Sequence, residues 1–288
     1  MVIDKLYDSV KKRGHVCLGL DTSLDYIPKG FLNKFQSEDE AIFNFNKEII
    51  DATYDEVACF KVQIAYYEAY GIKGLLAYKK TLKYIKSKGV LVIADIKRGD
   101  IANTAKMYAK AHFEGDFESD FITLSPYMGM DSIEPYLSYV KNNEKGIFVL
   151  VRTSNKGAED LQYLSSDERR VYNIMGEKLH KVGQDYLGEC GYSSVGGVVG
   201  CTHIEEGIEL RKKLKNMFFL IPGYGAQGGR AEDVALYLKE GNGGVVNSSR
   251  GILLAYRKHE NGGESFEKYA REEVLRMKVE ILNATGKI

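Results

Sequence analysis

The feature that most limits what this chain can fold into is an alternation. Short apolar runs at residues 15–20, 57–60, 90–94, 121–124, 147–151, 196–201, 217–221 and 244–247 are separated by longer segments with helical apolar spacing. Among those segments are 38–54, 66–88, 101–114 and 231–239. Unbroken β-branched and aliphatic runs read as strands buried on both faces, which is how parallel sheets are built. Eight strand–helix units without a long linker predict an α/β fold, a (β/α)₈ TIM barrel forming a single domain over residues 1–288. A doubly wound open sheet is the other fold with this alternation. Residues 1–12 read as an amphipathic helix rather than a signal peptide, and 264–282 as a terminal amphipathic helix that closes the barrel. The crossovers at 21–55 and 153–194 are longer than needed, and the second carries a polar insertion, 155–170, expected to form a flap or an extra helix.

A barrel carries its active site at the C-terminal ends of its strands, so the residues just beyond each run are where a site would show. Run one ends in Asp21, run two in Lys61, and run three in Asp95 and Lys97. The later runs lead to Ser125-Pro-Tyr, Arg152-Thr-Ser154, Thr202-His203, Pro222-Gly-Tyr-Gly-Ala-Gln227 and Ser248-Ser-Arg250. The third is the most pointed. Five apolar residues run into Asp95, and Lys97 and Asp100 come within the next five positions. Gly99 is expected to make the turn, and Asp100 to begin an Ala-rich helix where an acid suits the dipole, with Thr104 one turn on and facing the same way. A lysine just before a helix N-terminus is on the unfavourable side of that dipole, which argues for a site rather than a solvated loop.

The last two strand ends have the composition of a phosphate cradle. Gly223, Gly225, Gly228 and Gly229 let backbone N–H groups approach a ligand or fold over it, and Gln227 adds a side-chain amide. Arg250 offers a fork matched to phosphate oxygens.

Composition narrows the partners. Lys plus Arg and Asp plus Glu stand at 40 each, so no overall field draws nucleic acid or an anionic membrane. No apolar run is long enough to span a bilayer. Cys17, Cys59, Cys190 and Cys201 are scattered without a C-x-x-C, and read as buried small hydrophobes of a cytoplasmic protein. The five histidines, at 15, 112, 180, 203 and 259, lack ligand spacing, so no metal site is expected; His203 alone stands at a strand end. Tyr66, Tyr67, Tyr70, Tyr78 and Tyr84 read as packing residues, and Lys79-Lys80 and Arg211-Lys-Lys213 as solvated helix faces.

Together, Phe60-Lys61-Val-Gln63, Ala94-Asp95-Ile-Lys97-Arg-Gly-Asp100-Ile-Ala-Asn-Thr104, Pro222-Gly-Tyr-Gly-Ala-Gln227 and Asn247-Ser-Ser-Arg250-Gly resemble the orotidine 5′-phosphate decarboxylase family, in its longer, type 2 branch. The resemblance runs from Asp21 to Arg250, with no departure at a position to which the family assigns a role. It implies decarboxylation of orotidine 5′-phosphate to uridine 5′-phosphate and CO₂, the last step of de novo UMP synthesis, without metal or organic cofactor. It also implies a homodimer with sites at the interface, Asp100 and Thr104 reaching into the partner's site. Lys97 would stabilise and protonate the C6 carbanion, held by Lys61, Asp95 and Asp100 in an alternating set of charges. Asp21 and Lys61 would bind the ribose with Thr104, Ser154 the pyrimidine edge, and Pro222, Gln227 and Arg250 the phosphate end.

Two other readings stay open on the sequence. Hexulose-phosphate synthases and keto-gulonate-phosphate decarboxylases share D-x-K-x-x-D but place a Glu and Mg²⁺ near the position held here by Lys61. A catalytically silent barrel would bind a nucleotide or phosphosugar without turnover.

Overall fold

In the computed structural model, which describes residues 1–142, 144–225 and 228–286, the apolar runs form a closed barrel. Its strands are β1 (Val16–Gly19), β2 (Cys59–Gln63), β3 (Leu91–Arg98), β4 (Phe121–Leu124), β5 (Gly146–Arg152), β6 (Ser193–Val199), β7 (Met217–Pro222) and β8 (Gly244–Ser248). Each pairs in parallel with its neighbours in chain order, and β8 closes on β1 through Val16↔Val246 and Leu18↔Ser248. This is the (β/α)₈ arrangement, not the open sheet.

Alternation along each strand sends one set of side chains inward and the other out to the helices. Cys17, Cys59, Ile93, Phe121, Phe148, Phe218 and Val245 fill the lower barrel. Helix α1 (Val2–Arg13) plugs that end, with Val2, Ile3, Leu6 and Val10 buried on one face. Fully burying a side chain of this size contributes about 1.5–3 kcal/mol, so α1 is a substantial part of the fold. The outward set packs on α2 (Glu38–Thr53), α3 (Gly71–Ser87), α4 (Ala102–Phe113), α5 (Glu134–Asn142), α6 (Val171–Gly183), α7 (Ile204–Lys213) and α8 (Phe266–Ala284). Helix α8 packs on α2 and completes the outer ring.

Several local expectations are corrected. Residues 66–88 are two helices, Ala65–Glu68 and α3, because the chain turns at Gly71 in the left-handed region (φ 61°). The helix expected over 231–239 stops at Ala235. The Tyr237 carbonyl, which a continuing helix would use, accepts instead from Arg211 Nε at 2.8 Å. Strand β6 begins three residues before the expected 196, since Gly196 and Gly197 dilute the strand signal in its middle. The insertion, expected as a flap or an extra helix, holds a 3₁₀ turn (Lys156–Asp160) and a two-stranded ribbon, Ser165–Ser166 against Arg169–Arg170.

The cysteines are free, three of them buried and Cys190 half-buried. Tyr67 and Tyr78 are core residues, and Lys79 and Lys80 pair with Asp116 and Asp39 at 2.8 and 2.9 Å. Arg211 is the exception among the basic helix faces: it is buried, donating to the carbonyls of Tyr237, Leu214, Met217 and Gly243. Among the described residues, no helix is long and apolar enough to cross a membrane.

Candidate active site

The inward-facing positions turn polar near the C-terminal ends of the strands. Two residues beyond Cys59 comes Lys61, two beyond Ile93 comes Asp95, two beyond Phe121 comes Thr123, and two beyond Val245 comes Asn247. A cavity of about 470 Å³ opens there, within the range of small-molecule sites. Leu150, Val198 and Leu220 form its apolar floor, and Asp21, Lys61, Gln63, Asp95, Lys97, Thr123, Ser154, Pro222 and Asn247 line it.

At its centre, charges of opposite sign alternate. Lys61 Nζ stands 2.9 Å from Asp21 Oδ1 and 2.9 Å from Asp95 Oδ2, while Lys97 Nζ stands 2.6 Å from Asp95 Oδ1. The Lys61 side chain is 6% exposed and that of Lys97 45%, so the two ammonium groups have different freedom to meet a ligand. For Asp95, burial works to raise the carboxyl, but Lys61 and then Lys97 outweigh it and hold it below the ordinary 3.8. For Lys61, burial works to strip the proton, and Asp21 and Asp95 overcome it, lifting the group well above the ordinary 10.5. Both groups therefore stay charged at neutral pH.

Strand β3 itself carries this chemistry. The expected strand ends at Ala94, but β3 continues to Arg98, and its pairing with β4 shifts register between Ala94 and Arg98. The expected turn at Gly99 is made instead by Lys97 (φ 46°) and Ala102 (φ 48°). Gly99 serves a different need: a Cβ there would lie 2.9 Å from the Ser125 carbonyl oxygen. Asp100 does not cap α4, whose cap residue is Ile101; its Oδ1 accepts the Ile101 N–H at 2.8 Å.

The cavity wall over β5 comes from the insertion. Gln162 accepts the Thr153 N–H at 3.0 Å and donates to Thr153 Oγ1 at 2.7 Å, which fixes the chain at Ser154. Buried Arg152 anchors the base of this loop, donating to Glu206 at 2.5 Å and to the Tyr163 hydroxyl at 2.7 Å. Over β7, Gly223 (φ 105°) and Gly225 (φ 69°) shape a loop closed by the Gly229 N–H donating to the Gly223 carbonyl at 3.1 Å. The Tyr224 hydroxyl in that loop donates to Glu280 on α8.

Of the expected site residues, Asp21, Lys61, Asp95, Lys97, Ser154 and Pro222 meet in the cavity. Asp100, exposed Thr104 and exposed Arg250 do not line it, and Gln227 lies outside the described residues. His203 is not at the cavity; it caps α7, and its carbonyl accepts from the Tyr237 hydroxyl at 2.8 Å. Thr123, Asn155, Gln162 and Asn247 line the cavity without having been singled out as site residues. Period-two counting from Phe121 and Val245 is the signal that points Thr123 and Asn247 inward. No such rule finds Gln162, which reaches the cavity from an irregular loop. Among the described residues, no group of three or more His, Cys, Asp or Glu side chains is placed to hold a metal ion.

Comparison with known proteins gives a consistent result. The pattern of the orotidine 5′-phosphate decarboxylase / HUMPS family matches residues 14–264. A Clostridium tetani protein named orotidine 5′-phosphate decarboxylase is 70% identical over 285 residues, covering 99% of each chain. One of the same name from Clostridium acetobutylicum is 65% identical over 282 residues, covering 98% of this chain and 99% of its own. The structure of Leishmania donovani OMP decarboxylase superposes with a TM-score of 0.73 at 28% identity, covering 96% of this chain and 98% of that one.

Proposed function

The chain belongs to the orotidine 5′-phosphate decarboxylase / HUMPS family and is a carboxy-lyase of pyrimidine biosynthesis, and we propose that it removes CO₂ from orotidine 5′-phosphate without a cofactor, Lys97 supplying the proton. When the bond from C6 to the substrate carboxylate breaks, CO₂ leaves and the electron pair stays on C6, where the pyrimidine has no ready sink for it. An ammonium fixed beside C6 stabilises that charge and then donates its proton to it, and solvent restores the lysine.

The observation that carries this reading is the inequality of the two lysines. Lys61 is enclosed and its charge is shared by two carboxylates, whereas Lys97 has one carboxylate and an accessible head at the cavity. Lys61 and Asp95 thus act as the fixed frame and Lys97 as the donor. Asp21 and Lys61 take the ribose hydroxyls, Ser154 the pyrimidine edge, and Pro222, Gln227 and Arg250 the phosphate end.

The metal-dependent alternative in the family asks for a divalent cation between carboxylates. Here the Lys61 ammonium already bridges Asp21 and Asp95 at 2.9 Å from each, and the donor set does not suit one.

We further assign a cytoplasmic homodimer, the partner lending Asp100 and Thr104 to each site and orotidine 5′-phosphate the only ligand required. The chain around those two residues and the loop after β4 support it. Ile101, Met107, Tyr127 and Met128 are apolar yet 44–77% exposed, the mark of a surface that another chain covers. The reading of activity is tested by following the ultraviolet absorbance of orotidine 5′-phosphate with purified protein in excess EDTA. Conversion to uridine 5′-phosphate supports it, and turnover of a phosphosugar that requires added Mg²⁺ contradicts it.

A further inference from the structure

Thr123 lies on β4 at the bottom of the charged cluster, 1% exposed, and its hydroxyl is fully committed. It donates to Asp95 Oδ1 at 2.7 Å and accepts the backbone N–H groups of Ile96 and Lys97, each at 3.0 Å. One donor and two acceptor sites are all that a hydroxyl has, so none is left for a ligand.

The two N–H groups belong to the stretch where β3 loses its register with β4, between Ala94 and Arg98. Strand geometry there is replaced by a left-handed Lys97, φ 46°. A non-glycine residue persists in that region only where its surroundings over-determine it. Here the surroundings are one side chain of the neighbouring strand, which takes the place of the missing ladder partner. The same hydroxyl binds the carboxylate oxygen that receives the Lys97 ammonium at 2.6 Å, so it ties both ends of the lysine, backbone and head, to one point.

We propose that Thr123 is a positioning residue for the decarboxylation, its hydroxyl locking the Lys97 turn and the Asp95 carboxylate in the arrangement that aims the ammonium into the cavity. This rests on the reading of Lys97 as the proton donor. With its donor and both acceptor sites used, the Thr123 hydroxyl has no hydrogen bond to offer a substrate, so the effect falls on the chemical step and not on binding.

The test compares Thr123→Val, which keeps shape and removes the hydroxyl, with Thr123→Ser, which keeps the hydroxyl. Turnover of orotidine 5′-phosphate is expressed per competent site, counted by the stoichiometry of uridine 5′-phosphate binding, so that unfolded protein is not scored as lost chemistry. In Thr123→Val, kcat per site is expected to fall about 10- to 100-fold with KM within about threefold, the scale of a misaligned catalytic group. Thr123→Ser is expected to recover most of that loss. Should the valine protein not bind uridine 5′-phosphate, Thr123→Ala, whose smaller side chain crowds nothing, carries the same expectation and decides in its place. A hydroxyl-free variant with kcat per site within about twofold of wild type, a loss confined to KM, or an equal loss in Thr123→Ser overturns the positioning role. Wild-type protein that leaves orotidine 5′-phosphate unchanged overturns instead the reading of activity beneath it.

Discussion

Lys61 Nζ and Asp95 Oδ2 stand 2.9 Å apart with both side chains under 10% exposed, and each has one further partner of opposite charge, Asp21 for Lys61 and Lys97 for Asp95. Removing one member of a buried pair costs about 3–5 kcal/mol where the survivor is left uncompensated, and Asp21 and Lys97 hold the cost below that here. The pH consequences have opposite signs. Asp95 is depressed in the folded chain, so its contribution is present above the ordinary 3.8 and lost as pH falls through the lower folded value. Lys61 is raised, so its contribution is complete below the ordinary 10.5 and lost as pH rises through the higher folded value. Between those limits the frame holding Lys97 does not titrate.

Arg250 stands exposed at the start of the Arg250–Leu253 helix, beyond the cavity that holds the charged cluster. If it grips the phosphate, its binding energy is spent partly on the distant chemistry. Arg250→Ala is expected to lower kcat/KM by roughly 10- to 100-fold, the worth of a charge-assisted hydrogen bond. Steady-state kinetics check this, and an unchanged kcat/KM contradicts the assignment.

A shared site makes a prediction about mixtures. Lys97→Ala and Asp100→Asn proteins are each expected to be inactive alone. In a mixed dimer one site receives both defects and the other neither, so reassorted equal mixtures should regain about one quarter of wild-type activity. Activity measured after mixing and re-equilibration decides; no recovery, with mixed dimers shown to form, contradicts a partner-supplied Asp100.

His112 supplies a pH dependence away from the site. Burial, with a smaller contribution from Arg98, pushes its imidazole down from 6.5 to about 4. Below the ordinary value the unfolded chain binds a proton that the folded chain refuses. Stability is therefore expected to fall as pH drops from 6.5 toward about 4, by up to roughly 3 kcal/mol from this residue. Urea unfolding of wild type and His112→Phe across that range checks the slope, which the substitution should reduce.

The barrel and half of the site were legible because both depend on local pattern. Apolar runs announce strands, and a polar residue closing such a run, as at Lys61 and Asp95, announces a strand end facing a pocket. Thr123 was not legible, since a threonine in Phe121–Leu124 reads as an ordinary strand former and its partners lie on another strand. The turn at Lys97 was misplaced onto Gly99 because residue preference favours glycine, whereas hydrogen bonds across the sheet impose the left-handed conformation on a lysine. The Gln162 contact with Thr153 is likewise set by tertiary packing of the insertion, which has no regular period. Asp100 and Thr104 show the remaining gap: one chain does not bring them to the cavity, and their assignment rests on a second copy.

The central claim is that the Lys97 ammonium, held at 2.6 Å by Asp95, delivers the proton to C6. The most direct measurement is kcat for orotidine 5′-phosphate in Lys97→Ala, with uridine 5′-phosphate binding measured on the same protein. Loss of both charge stabilisation and proton delivery predicts a fall of about 10⁴-fold or more while uridine 5′-phosphate still binds. A Lys97→Ala protein that binds the product normally and keeps kcat within about tenfold of wild type contradicts the account.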